Sequence, residues 1–98
     1  MGELRFTSDP RKAQANRRKH GVSFEEAEAV FLDEQALLTE DPDDSHGEDR
    51  FVILGLSGAL RLLVVCHCER DQGETIRIIS ARRATKPEQA TYWGRLTR

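Results

Sequence analysis

Three apolar runs crowd the second half of the chain, at residues 51–56, 60–68 and 76–81. Ser57-Gly58-Ala59 joins the first two, and a polar stretch from Glu69 to Glu74 joins the last two. Runs of this length, bounded by turn residues, predict strands, and connections this short predict antiparallel neighbours. Helical signals lie on either side. Asp9-Pro10 predicts a cap followed by proline in the first turn, and Gly21 predicts a stop, giving a helix over Pro10–His20. Ala13, Asn16 and His20 then share its inner face, leaving Arg11, Lys12, Arg17, Arg18 and Lys19 outside. Ser23-Phe24-Glu25-Glu26 reads as a capping box in which Glu26 reaches back, opening a helix over residues 24–32. Thr85-Lys86-Pro87-Glu88 is a second box, opening a helix with Ala90, Trp93 and Leu96 on one side. Short strands are predicted at 4–6 and 36–40, with a polar loop from Asp41 to Asp49. The order predicts one α+β domain over residues 1–98: an antiparallel sheet of three or four strands, two N-terminal helices and a C-terminal helix, with the helices packed on one face.

The net charge of −2 hides a strong segregation. Residues 1–20 carry six Lys/Arg against Glu3 and Asp9, and residues 75–98 carry six against Glu88 alone. Residues 21–49 hold eleven Asp/Glu and no Lys or Arg, so one pole suits a polyanion and the other a basic partner. Cys66 and Cys68 lie two apart on one predicted strand, a poor geometry for a disulfide, and no secretory leader precedes them. The apolar stretch 62–66 is too short to span a bilayer. A soluble protein of a reducing cytoplasm is expected, with no membrane role.

Residues 75–88 run from a strand into Arg82-Arg83 and then a helix start. Guanidinium groups grip phosphate oxygens bidentately, and a helix start adds unpaired N–H groups, so an anion is the expected guest. Two metal patterns fail on spacing. Asp41-x-Asp43-x-Ser45 begins like a calcium loop but has His46 at the sixth position and Val52 at the twelfth. Cys66-His67-Cys68 sends its histidine and its cysteines to opposite faces of a strand, with no second pair to complete a zinc site.

Asp9-Pro10, Lys12, Asn16, Lys19-His20-Gly21-Val22-Ser23-Phe24-Glu25-Glu26-Ala27, Arg50-Phe51, Leu62-Leu63-Val64-Val65, His67 and Ile76-Arg77-Ile78-Ile79-Ser80-Ala81-Arg82, in this order and spacing, resemble the BrnT family of toxins. The resemblance covers nearly the whole chain. It implies a type II toxin of a bacterial toxin–antitoxin pair, with a RelE-like α+β fold and a ribonuclease activity that stops translation. It also implies a BrnA-like antitoxin, dimeric and ribbon-helix-helix, through which alone the toxin would meet operator DNA. The chain departs from the family pattern at Thr7-Ser8, where an aromatic residue is expected, and at Pro87 and Glu88, which interrupt a basic run.

RNA is cut without a metal when its 2′-hydroxyl attacks the adjacent phosphorus, which needs a base, an acid and cations around the transition state. No cofactor is expected. His67, at the end of its strand, is a candidate for proton transfer, with a buried structural histidine as the competing reading. Arg61, Arg77 and Arg82 are the candidate cations beside it, and Arg17, Lys19, Arg83 and Lys86 the candidate RNA-backbone contacts. Strand alternation sets Arg77 and Arg83 on one face and Arg82 on the other unless the strand bends. Asn16 and His20 read as structural, or less favourably as catalytic. The competing function is a non-catalytic nucleic-acid-binding or co-repressor module acting through its antitoxin.

Overall fold

A computed structural model of the chain describes residues 4–41 and 50–96; the expected acidic loop over 42–49 lies outside the described residues. The elements follow the predicted order: β1 (Arg5–Thr7), α1 (Pro10–His20), α2 (Phe24–Val30), β2 (Leu37–Glu40), β3 (Arg50–Leu56), β4 (Leu62–Arg70), a short 3-10 turn at Asp71–Gly73, β5 (Thr75–Arg83) and α3 (Lys86–Leu96). The fold is α+β. Its sheet has five strands where three or four were expected, in the order β1-β5-β4-β3-β2. β1 lies parallel to β5, while the other pairings are antiparallel. A three-residue edge strand carries too little pattern to declare its partner or direction.

Local chemistry explains the boundaries. The Asp9 carboxylate accepts the Arg11 N–H at 2.9 Å, Pro10 occupies the first turn, and Gly21 ends α1 at φ 68°, a left-handed conformation that costs glycine little. The Ser23 hydroxyl caps α2 by accepting from the Glu26 N–H at 3.0 Å. Only half of that expected box forms, because the Glu26 carboxylate turns to Ser57 and Arg61 instead. The box of α3 is reciprocal: Glu88 Oε1 accepts the Thr85 N–H at 2.8 Å, and the Thr85 hydroxyl accepts the Glu88 N–H at 3.4 Å.

The helices occupy both faces, not one. Beneath α1 and α2 lies the main core, with Val22, Phe24, Ala27 and Val30 packed on Ile53, Leu63, Val65, Ile76, Ile78 and Ala81. α2 approaches β3 so closely that a Cβ at Gly55 would lie 2.8 Å from Val30 Cγ1. α3 packs on the other face through Tyr92, against Leu62, Val64 and Ala84. Trp93 and Leu96, expected to face inward, are 46% and 39% exposed, so the docking contact is one phenol. Its hydroxyl donates to Asp33 Oδ2 at 2.5 Å, and Asp33 also accepts the backbone N–H groups of Leu56 and Gln35. One carboxylate thereby ties the end of α2 to β3 and α3.

Candidate nucleic-acid interface

β5 contains one residue more than its partner needs. Cys66 pairs with Ser80 while His67 pairs with Ile78, so Ile79 is extra and the ladder shifts between them. An inserted residue reverses the alternation beyond it. Arg77 pairs with Cys68 and Arg82 with Val64, two residues of one β4 face, so Arg77 and Arg82 share a side and Arg83 takes the other. This is the bend without which the arginines could not act together.

The register lays out that side in rows running across the sheet. Arg5, Thr75 and Arg70 form one; Thr7, Arg77, Cys68 and Arg50 the next; then Ser80, Cys66, Val52 and Thr39; then Arg82, Val64, Leu54 and Leu37. α3 covers the last row and beyond. Among the described residues, no helix covers the others. Arg77 and Arg82 stand two rows apart, roughly 13 Å along the strand, and Arg50 lies two strands from Arg77, roughly 10 Å away. Arg77 has no ion-pair partner among the described residues, and Arg50 Nε is buried without a hydrogen-bond partner. A patch of fixed positive charge on an open sheet face is suited to a phosphodiester chain.

Arg82 is differently placed. Its Nη1 and Nη2 donate to Glu88 Oε1 and Oε2 at 2.8 and 2.9 Å. The Arg82 guanidinium, with the Thr85 amide, holds the Glu88 carboxyl at about 2. The anion expected between the strand end and the helix start is thus the chain's own carboxylate, which leaves the Nε edge of Arg82 outside that clamp. Beside the pair opens a cavity of about 360 Å³ lined by Asp41, Cys66, Ser80 and Arg82 over Val52 and Val64. Burial, reinforced by the Asp41 carboxylate, pushes the Cys66 thiol up to about 11, so it is a weak donor and not a thiolate.

The remaining expected site residues fall elsewhere. His67 points to the helix side, fully buried, with Phe31 edge-on at 4.7 Å and Phe51 stacked at 6.0 Å. Burial holds its imidazole below the ordinary value although the Glu69 carboxylate lies 3.3 Å from Nε2. The expected grouping of His67 with Arg77 and Arg82 therefore does not form; a whole sheet separates them. Arg61 ion-pairs with Glu26 of α2 on the helix side, where Arg83 adds to the field on the same carboxylate. Arg17 and Lys19 are exposed on α1, also on the helix side, and Lys86 is exposed at the start of α3. Asn16 is buried and structural, as its side chain bonds Val22 and Ala81. Arg50 and Asp41 went unnoticed as site residues. The hairpin was the signal for Arg50, but the expected turn at 57–59 would set it opposite Cys66, whereas the observed turn over residues 57–61 sets it opposite Cys68, on the same face. Among the described residues, no three His, Cys, Asp or Glu side chains are grouped to hold a metal ion.

Residues 9–88 match the family of BrnT ribonuclease toxins of type II toxin–antitoxin systems. The chain belongs to the BrnT family. No curated protein matches it. Its fold is similar to that of the Brucella abortus ribonuclease toxin BrnT, known from a 1.1 Å crystal structure, with a TM-score of 0.62 over 88% of this chain and 100% of that one. At 23% identity that likeness speaks for the fold alone. Within this BrnT fold no described helix is long and apolar enough to cross a membrane.

Proposed function

We propose that this BrnT-family chain is an endoribonuclease that binds RNA across the open sheet face and stops translation in the cytoplasm, until an antitoxin of the BrnA type covers that face. The observation that carries this reading is the β5 bulge, which sets Arg77 and Arg82 on one open side with Arg50 across from Arg77. Guanidinium groups placed there are suited to stabilise the added charge of a pentacoordinate phosphorane, with no metal required. His67 and Arg61 take no part, since one is enclosed in the core and the other is held by Glu26 on the far side. Purified protein is expected to fragment RNA in the presence of EDTA, and Arg77→Ala to lower the cleavage rate by roughly 100-fold, the usual loss when one transition-state donor is removed. An Arg77→Ala protein that cleaves at the wild-type rate removes the open face from the chemistry.

One observation favours a second reading, a co-repressor without catalysis. Arg61 and Arg82 each already hold a carboxylate of the same chain. Induced expression without antitoxin separates the two, arresting growth and fragmenting RNA under the first and doing neither under the second.

A further inference from the structure

Glu88 is the sole acid among residues 75–98, set against six Lys/Arg, and both of its carboxylate oxygens accept from Arg82. Of Arg50, Arg77 and Arg82 on the open side, only Arg82 has an ion-pair partner among the described residues. One hydrogen of Nη1 and one of Nη2 go to Glu88, and Nη1 also donates to the Arg83 carbonyl at 3.3 Å, which leaves one edge of the guanidinium, Nε with Nη2. Neither approach to Arg82 is free of Glu88. A phosphate on the Nε edge sits across one guanidinium from a carboxylate, like charge facing like, and a phosphate on the Nη edge has to displace that carboxylate. Displacement leaves α3 in place. Glu88 Oε1 also accepts the Thr85 N–H at 2.8 Å and the Thr85 hydroxyl accepts the Glu88 N–H, so the capping box holds Glu88 with or without Arg82. The pair lies partly open to water, so the exchange opens no core.

Resting on the reading of the open face as the RNA site, we infer that Glu88 limits the affinity of that face: it is a built-in rival of the phosphodiester for Arg82. The strand then seats first on Arg77 and Arg50, which hold no carboxylate among the described residues, and engages Arg82 only against the clamp. The sign does not depend on which edge of Arg82 the phosphate takes, because displacement and repulsion both weaken binding. The face therefore holds affinity in reserve, and neutralising one side chain releases it.

The test is a double-mutant cycle of wild type, Glu88→Gln, Arg82→Ala and the two together, with Thr85→Ala as a control. Kd is measured on a short 2′-O-methyl RNA, which lacks the hydroxyl that attacks, and kcat/KM on the same RNA unblocked. Glutamine closes a capping box as glutamate does, so Glu88→Gln keeps the start of α3 and removes only the charge on Arg82. It is expected to lower Kd about five-fold and to raise kcat/KM by a similar factor, the worth of a partly exposed ion pair. The gain should vanish in the Arg82→Ala background. Thr85→Ala weakens the box but leaves both bonds to Arg82, and its Kd should match that of wild type. A Glu88→Gln Kd no lower than that of wild type overturns the inference. So does a gain that persists without Arg82, which would be a response to net charge, or an equal gain in Thr85→Ala, which would be a loosening of α3. Wild type that leaves the RNA unbound, or binds it no better than Arg77→Ala does, sinks the reading of the open face itself, and the role of Glu88 with it.

Discussion

At position 67 an imidazole sits where a fourth aromatic ring would fit, among Phe6, Phe31 and Phe51. Burial favours its neutral form, and the partly exposed Glu69 carboxylate does not reverse the balance. A histidine with a folded pKa below its unfolded value of about 6.5 contributes stability that is complete above that pH and is lost as pH falls beneath it. The urea midpoint of wild type is therefore expected to fall between about pH 7.5 and 5.5, and to fall less in His67→Phe, whatever that variant loses at neutral pH. Equal pH sensitivity in the two proteins would show that the burial of His67 is not felt. Arg82 and Glu88 show the opposite balance. Holding a carboxyl at about 2 would nominally be worth about 3 kcal/mol. With Arg82 41% and Glu88 32% open to water, screening reduces this to about 1 kcal/mol, small enough for a phosphate to compete.

At the scale of elements, β5 decides the site, and Asn16 decides β5. β1 pairs only as far as Thr7 with Arg77, so among the described residues the outer edge of β5 beyond the bulge has no strand partner. Asn16 of α1 supplies one. Its Oδ1 accepts the Ala81 N–H at 3.0 Å, and its Nδ2 donates to the Ala81 and Val22 carbonyls at 2.8 and 3.0 Å, so a side-chain amide takes the place of a strand residue. Ala81 is fully buried, and losing these bonds would leave its N–H and C=O unsatisfied next to Arg82. Asn16→Ala is expected to cost about 3 kcal/mol by chemical denaturation; a cost under about 1 kcal/mol would make the three bonds incidental. Helical spacing places Asn16 on the inner face of α1, but which backbone group it meets sixty-five residues later is a matter of assembly. α3 makes a similar point. Trp93 has the larger apolar surface, yet Tyr92 docks, because Asp33 offers its hydroxyl a partly buried partner.

Across the whole molecule the sheet divides the basic charge into two fields. Arg5, Arg50, Arg77 and Arg82 lie on the open side, while Arg11, Lys12, Arg17, Arg18 and Lys19 lie on α1 behind it. A short RNA on the open face should neutralise its phosphates there and nowhere else. About three contacts with a single strand predict a slope near −2 in log K against log salt, reduced by about 0.7 in Arg77→Ala. Removing Arg17 and Lys19 should leave the slope for a short RNA unchanged, and an equal loss would mean that the strand wraps to the helix side.

The period of apolar residues, the capping residues and the turn residues determined the order and approximate limits of nearly every element, because these signals act within a few residues of one another. The hairpin between β3 and β4 was legible too, but its turn spans residues 57–61 where 57–59 was expected, so the register that sets Arg50 opposite Cys68 was decided by the fold. What tertiary structure alone decided is which side chains meet. One inserted residue at Ile79 reverses the alternation of β5 and brings Arg77 and Arg82 to one side, an outcome set by hydrogen bonding to β4 and to Asn16 and not by the pattern of β5. Likewise, α1 and α2 cover the side that holds His67, while α3 leaves most of the other side open. Burial is a property of what packs above a residue, and for His67 that is a helix more than thirty residues away in the chain.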